Sequence, residues 1–586
     1  MPRKHRTLCC GKVSLGLLLA LAIGCVPPAL AAEPPAVQRP NVDVNSGTIK
    51  SSLDQQKIIV PQQNNVDIEV NREEKPAQEQ APGPKVRVSG FHITGQTIYT
   101  PEQLQELIKA DVGRELSFSE LQAAAQCITD YFNRQGYMVA KAYLPAQSIQ
   151  DGLVEIVVVP GQYGGIDIRN QSRLSPQTVA NLLSSLKTGD YVKKDVLERN
   201  LLLLSDIRGV SVKATLAPGK DTGKTNLTVE LHDNDEDATG TFSLDNYGNR
   251  YTGQGVGNVT LTINNLSGTG DVFNLGNNYS GNGLNNFSAG YTNLVGTQGA
   301  RLGVSYSTMH YQLGKEFKLL EDTGKSRTAS IFGIYPLVRS RDHNLNVQLQ
   351  FDYRKITDNG YLGLETSDKH ADVWSLGLNG DSQDSSGANT YDVNVSSGRL
   401  GFDGGRTLYG STPQDDDQWI SRAYGIPGLR TAGRYTKVNF DFSRWQNLNP
   451  RLNFLLESSG QWANKNLDSS EKLYLGGAKG VRAYPQGEAS GDQGYLVRGE
   501  LRWNMPDPDL QLALFVDSGH VMVNKNPLPK AGDNGCTLSG AGLGVIASST
   551  KDYTVRLDYA WKLGDHAVTS EHDRRGRWWL YGIQYF

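Results

Sequence analysis

Beyond Asp237 the chain alternates. Leu345-Asn-Val-Gln-Leu-Gln-Phe-Asp-Tyr-Arg354 sets five apolar residues against five polar ones, the period-two pattern of a strand with one apolar and one polar face. The same alternation marks Val259 to Ile263, Arg301 to Tyr306, Tyr391 to Val395, Val438 to Phe442 and Val555 to Tyr559, with Gly, Asn and Asp clusters between them. It extends over the last 349 residues, to Phe586. A soluble sandwich also alternates, but so long a run favours a transmembrane antiparallel β-barrel with lipid outside and water within. At roughly 22 residues per strand and connection, the span holds about 16 strands, an even number as bacterial barrels require.

Composition agrees. Hydrophobic residues make up 38% of 586, with 64 Gly and 26 Tyr, and past the N-terminus no apolar run approaches the ~20 residues of a membrane helix. A net charge of -3 gives no case for nucleic-acid binding. Arg3, Lys4 and Arg6, the apolar Val13 to Val26 and Ala29-Leu-Ala31 predict a signal peptide over 1–31, with the mature chain starting at Ala32 or Glu33. Cys127 and Cys536 then remain, in different domains and unsuited to a bridge; Cys127 is read as packing on the inner face of its helix. Residues 32–84, rich in Pro, Gln, Asn and Glu, read as a linker, and the amphipathic signal over Ser46 to Ile58 is too weak to favour helix over disorder.

Two small α+β units precede the barrel. In 85–161, a strand at Val86 to Ile93 is followed by helices opened by Thr100-Pro101-Glu-Gln103 and Ser117-Phe-Ser-Glu120, then by strands near Met138 to Leu144 and Leu153 to Val159. The β-α-α-β-β order recurs in 162–236, through Gly165 to Arg169, helices from Ser175 and Val192, and strands at Gly209 to Leu216 and Thr225 to His232. A repeated module suits binding or spacing. Neither unit holds a His or Cys cluster or a nucleophile motif, and His92 and His310 have no metal-like partners at suitable spacing. No enzyme activity, cofactor or metal is expected.

The sharpest motif lies late in the barrel. Val481-Arg482-Ala483-Tyr484-Pro485 and the glycine-rich run Gly487, Glu488, Gly491, Asp492, Gly494 are followed by Phe515-Val-Asp517-Ser-Gly519. From the residues alone, Arg482 and Asp517 are either unrelated loop and lumen charges or partners inside the barrel. Glu488 and Asp492 read as solvated loop acids, and the glycines as tight-turn positions.

Together these motifs resemble the outer-membrane transporters of two-partner secretion, the TpsB exporters of filamentous haemagglutinin and haemolysin. Phe91-His-Ile-Thr-Gly95, Tyr131-Phe-Asn-Arg-Gln-Gly-Tyr137, Ala142-Tyr-Leu-Pro-Ala-Gln147 and Asp151-Gly152 are similar to the family's first POTRA domain. Val196-Leu-Glu-Arg199, Leu201 to Leu204 and Asp206-Ile-Arg-Gly209 are similar to its second, and Leu244-Asp-Asn-Tyr-Gly248 to its barrel start. The resemblance implies a barrel over 237–586 whose sixth extracellular loop folds inward, its Arg482 paired with Asp517. Ala483 stands where the family usually has Gly. The resemblance also implies a plug helix from the N-terminal segment, which the local pattern of 46–58 does not support.

By the same resemblance the chain is expected to sit in the outer membrane of a Gram-negative bacterium, its POTRA domains periplasmic. It would export one TpsA-type exoprotein (an adhesin, haemolysin or contact-dependent toxin), taken up unfolded and moved without ATP, since no Walker A motif is present. The alternative is an assembly insertase of the same superfamily. A passive porin has no need of the modules at 86–233.

Overall fold

The computed structural model describes residues 44–54, 66–70 and 85–586, apart from 235–236, 282, 361–362, 407–410, 423–425, 508, 530–531 and 550–551. The expected signal peptide lies outside the described residues. Helix α1 (Ser46–Asp54) comes first. Asn45 caps it by accepting the Thr48 N–H at 3.0 Å. The reading of this stretch as disordered is therefore corrected over Ser46 to Asp54, while 55–58 are not described. A nine-residue helix is unstable alone in water; tertiary contacts supply what the sequence pattern lacks. Ile49 is buried with Tyr251, Leu284, Met309 and Tyr311, and Ser46 donates its N–H to Asp358 Oδ1 at 2.9 Å. Gly47, which weakens the helical pattern, lies where an added Cβ would meet the Ser470 nitrogen at 2.7 Å.

Strand β1 (Val66–Val70) follows. The first module contains β2 (Gly90–Thr94), α2 (Pro101–Leu107), α3 (Phe118–Arg134), β3 (Lys141–Tyr143) and β4 (Leu153–Val159). Both helices start in the capping boxes foreseen, at Thr100 and Ser117. Leu121, Ala124, Ala125, Ile128 and Phe132 form the buried face of α3. Cys127 is exposed, which corrects its reading as packing: one step before Ile128 on a 3.6-residue helix it points away from the core.

The second module repeats the order with β5 (Gln162–Gln171), α4 (Pro176–Leu182), α5 (Lys194–Ser205), β6 (Val210–Pro218) and β7 (Lys224–Asp233). Its sheet runs β1-β6-β7-β5. The linker thus lends a fourth strand, β1, in parallel register with β6 from Val66↔Val212 to Val70↔Leu216. The two modules abut: Lys194 N–H donates to Gly136 O at 2.8 Å, and the rings of Tyr137 and Tyr191 meet edge-on at 6.0 Å.

Sixteen antiparallel strands close the barrel. They are β8 (Ala238–Asp245), β9 (Val256–Asn264), β10 (Val272–Ser280), β11 (Leu284–Val295), β12 (Ala300–Gln312), β13 (Thr323–Arg339), β14 (His343–Asn359) and β15 (Glu365–Asp384). The second half is β16 (Gly387–Gly404), β17 (Gly433–Asn449), β18 (Leu452–Ala463), β19 (Gln493–Asn504), β20 (Leu510–Met522), β21 (Gly535–Ser549), β22 (Tyr553–Lys562) and β23 (Gly576–Tyr585). Alternation sorts the side chains: Val259, Phe287, Leu349, Trp374 and Leu543 are exposed on the outer face, whereas Asp352, Glu500, Asp517 and Asp558 are buried within. β23 closes onto β8 from Asp245↔Tyr581 to Thr241↔Tyr585. Because Asp558, an inward residue, pairs with Trp579, the set Trp579, Tyr581, Ile583 and Tyr585 faces the lumen, and Phe586 lies on the outer register.

Candidate functional site

Residues 464–492, between β18 and β19, fold back into the barrel. The turn at their tip is set by local main-chain bonds: Val481 N–H donates to Leu475 O at 2.7 Å, and Tyr484 N–H to Val481 O at 3.1 Å. Val481, Ala483 and Tyr484 are buried. Ala483 keeps an ordinary negative φ, being absent from the left-handed residues, so the turn does not need the family's usual glycine. What it needs is a small side chain, because a Cβ on Gly540 of β21 would come within 2.6 Å of the Ala483 Cβ.

This turn delivers Arg482 to the barrel wall, 1% exposed. Its Nη2 and Nε donate to the two Asp517 oxygens at 2.7 and 2.8 Å, and its backbone N–H adds a third bond at 3.1 Å. Nη1 reaches Glu500 Oε2 at 2.7 Å. The guanidinium lies 3.4 Å from the Phe515 ring centroid, and Trp579 Nε1 donates to the Arg482 carbonyl at 2.6 Å. Burial alone would lower the Arg482 pKa, but the bonds to Asp517 outweigh it and hold the proton on.

Sequence reading found this pair but missed its surroundings. Arg556 on β22 forks between Glu500 Oε2 at 2.7 Å and Asp558 Oδ2 at 2.9 Å, and Arg502 donates to Glu500 Oε1 at 2.6 Å. Three guanidiniums and three carboxylates so interlock across β19, β20, β22 and the loop. The signal was present: Arg498, Glu500 and Arg502, and likewise Arg556 and Asp558, recur at period two opposite apolar neighbours, which places them on the inner face.

Glu488 and Asp492 are not solvated acids, a correction. Glu488 is 2% exposed and accepts four bonds from the loop before β23: Thr569 N and Oγ1 at 2.9 and 2.6 Å, Ser570 N and Oγ at 3.2 and 2.6 Å. Asp492 accepts from the Leu467 and Lys525 N–H groups at 3.1 and 2.8 Å and meets Lys472 Nζ at 3.2 Å. A carboxylate with enough local donors tolerates burial, and single-sequence reading cannot see donors 80 residues away. Of the motif glycines only Gly487 has a left-handed φ, 87°. Gly491 and Gly494 instead lie against β20, and a Cβ on Gly519 would meet Leu475 Cδ2 at 2.8 Å. Pro485 ends the tip, its carbonyl accepting Glu488 N–H at 3.2 Å.

A closed barrel with an arginine loop drawn into its lumen, and α+β modules at one mouth, has the build of an outer-membrane transporter, and the family match makes it one of the two-partner secretion class. The chain belongs to the family of haemolysin secretion/activation proteins ShlB/FhaC/HecB, whose sequence model matches residues 223–547. The ShlB-type POTRA domain matches residues 86–161. It is 27% identical over 510 residues to the heme/hemopexin transporter protein HuxB of Haemophilus influenzae (strain 86-028NP), covering 86% of this chain and 87% of that one. With the outer membrane transporter CdiB of Escherichia coli O6:K15:H31 (strain 536 / UPEC) it shares 24% over 435 residues, 72% of this chain and 70% of the relative. The fold is that of the solved CdiB from Escherichia coli, at a TM-score of 0.67, 21% identity and 88% and 93% coverage of the two chains. BamA from Haemophilus ducreyi lacking POTRA domains 1-3 shares the fold more distantly, with a TM-score of 0.50, 14% identity and 85% and 100% coverage. Members of this family are outer-membrane transporters of exoproteins in Gram-negative bacteria.

Proposed function

We propose that this protein captures one unfolded TpsA-type exoprotein in the periplasm with its two α+β modules and passes it through the barrel to the cell surface without ATP. The observation that carries the reading is β1. Its five residues pair in parallel with β6 through the main chain, Val66 enters the second module's core, and Glu69 meets Lys213 at 2.8 Å. That edge therefore accepts an extended chain by strand addition, and the protein's own linker holds the place an incoming segment would take. The same linker leads back to α1, which lies in the lumen near Asp358 and is bonded to the folded-in loop through Ser51 Oγ to Lys472 O at 2.7 Å. Arriving cargo that displaces β1 loosens the tether of the plug.

Within this reading, Arg482 and Asp517 latch the loop. Losing either partner leaves a buried charge uncompensated, which costs more than the pair contributes, so the pair fixes position better than it adds stability. The reading is tested by comparing secreted and outer-membrane proteomes of a host carrying the intact protein or one lacking residues 86–233, with barrel assembly checked. Loss of one large exoprotein alone supports it. Unchanged export overturns the capture role, and a general fall in outer-membrane barrels makes the protein an insertase instead. Transport of unfolded cargo into nucleotide-free proteoliposomes tests independence from ATP.

A further inference from the structure

The barrel's inner wall is divided by charge. Charged residues form 20% of the chain, yet between Tyr251 and Ala300 the only one is Asp271. Across β9 to β13 the register and the outer-facing Val259, Phe287, Val304 and Ile331 fix which side chains point inward. Only two of these inward positions are charged, Arg301 and Arg339. Both lie at the module end and both are engaged by Asp206 of the second module, Arg301 through its main-chain oxygen at 3.5 Å and Arg339 through its carboxylate at 2.6 Å. Between these arginines and the far rim the middle of the face is built of Asn, Ser, Thr and Gly, with apolar residues towards the module end (Leu294, Phe332, Ile334) and the far rim (Leu284, Met309, Tyr311). In one row across four strands, Thr260, Gly276, Ser288 and Ser307 are register partners, and Thr260 and Ser288 are exposed although they face inward.

The rest of the wall differs. From β14 onward, inward charges recur, among them Asp352, Lys369, Asp381, Glu500, Asp517 and Asp558, and these six are buried. Around Asp517 they are covered by the folded-in loop. A chain in transit carries charges of both signs. Fixed charges in a confined lumen concentrate the field, and each would hold a passing opposite charge in a strong charge-assisted bond. Neutral hydroxyls and amides exchange hydrogen bonds with a peptide at nearly the same free energy as water does, so they solvate any segment and retain none.

The uncharged face also adjoins the module end where cargo would arrive. Ser175 N–H donates to Gly268 O at 2.8 Å in the turn joining β9 and β10, and Arg341, in the turn joining β13 and β14, donates to Val66 O at 3.0 Å. A segment taking the place of β1, parallel to β6, has its N-terminal end at that last turn.

We propose that the wall formed by β9 to β13 is the track along which an unfolded polypeptide crosses the barrel, the remaining wall being a support that carries fixed charges. This rests on the exporter reading above. The test places a photo-crosslinking amino acid in the full-length protein, in cells secreting its exoprotein, at Thr260, Ser288 or Ser307 on the track and at the inward-facing Asn379 or Ser459 off it. Cargo stalled by a fused, stably folded domain should crosslink from the three track positions at least fivefold more than from the other two. Equal yields, or adducts only at Asn379 and Ser459, overturn the track while leaving the exporter intact. No export by the unsubstituted protein removes the exporter reading, and the track with it. As a second measure, Ser288→Arg should slow export at least fivefold, Ser288→Gln and Ser459→Arg less than twofold, in barrels that still run as folded species. Equal slowing by Ser288→Gln or Ser459→Arg overturns it.

Discussion

Arg339, at the module end of β13, holds both carboxylate oxygens of Asp206, at the end of α5, with bonds of 2.8 and 2.6 Å. The arginine side chain is almost wholly buried, and the aspartate is four-fifths so. Arg199 adds a bond to Pro336 O at 2.8 Å, and Arg341 an ion pair to Glu198 at 3.2 Å. The second module is thus fastened to the barrel by charge-assisted bonds rather than by a flexible joint.

Asp206→Ala should loosen that attachment, since removing one partner of a buried pair costs about 3 kcal/mol or more. Spin labels on the second module and on the barrel rim should report a broadened distance distribution. A width equal to that of the unsubstituted protein would show that the attachment does not depend on Asp206.

Arg482→Lys should fail to replace arginine. Lysine offers a point charge and no planar fork, so it cannot serve Asp517 twice and Glu500 once. Hydrogen exchange over residues 475–490 should rise nearly as far as in Arg482→Ala, with losses of about 3 kcal/mol for a broken buried pair, on the order of a hundredfold in local opening. Retained protection in the lysine variant would mean that charge alone holds the loop.

Glu488→Ala should free the segment before β23, because it strands four donors on Thr569 and Ser570, each unmet buried partner costing about 1 to 3 kcal/mol. Trypsin should then cut at Arg574 or Arg575 faster than in the unsubstituted protein. Glu488→Gln, which keeps one accepting oxygen, should fall between. Identical cleavage of all three rules out Glu488 as the clamp.

A disulfide between Glu69→Cys and Thr215→Cys, register partners in β1 and β6, in a protein whose Cys127 and Cys536 are serine, should pin the linker strand. Export should drop more than tenfold when the bond is formed and recover on reduction. Unimpaired export with β1 pinned would exclude displacement of this strand as a step.

The barrel was legible because period-two alternation survives in nearly every strand, and the capping boxes at Thr100 and Ser117 marked their helices outright. Arg482 and Asp517 were legible through motif resemblance. The partners of Glu488, the bond from Trp579 to Arg482 and the placing of α1 were not, because each depends on groups far apart in sequence. α1 is the clearest case: its own nine residues do not specify a helix, and Ile49 finds its reason only in Leu284, Met309 and Tyr311. Strand β1 was hidden for the same cause, lying in a polar segment whose Val66, Ile68 and Val70 matter only beside β6.

Eleven residues separate Asp54, the end of α1, from Val66, the start of β1. Fully extended, they reach about 40 Å. Were α1 to leave the lumen while β1 stays paired, it would remain a leashed ligand of its own barrel, at an effective concentration of roughly millimolar. On the proposed export reading, reclosure would be a unimolecular step whose rate does not depend on how many copies the membrane holds, and a pore emptied of cargo would reseal against leakage without a second molecule.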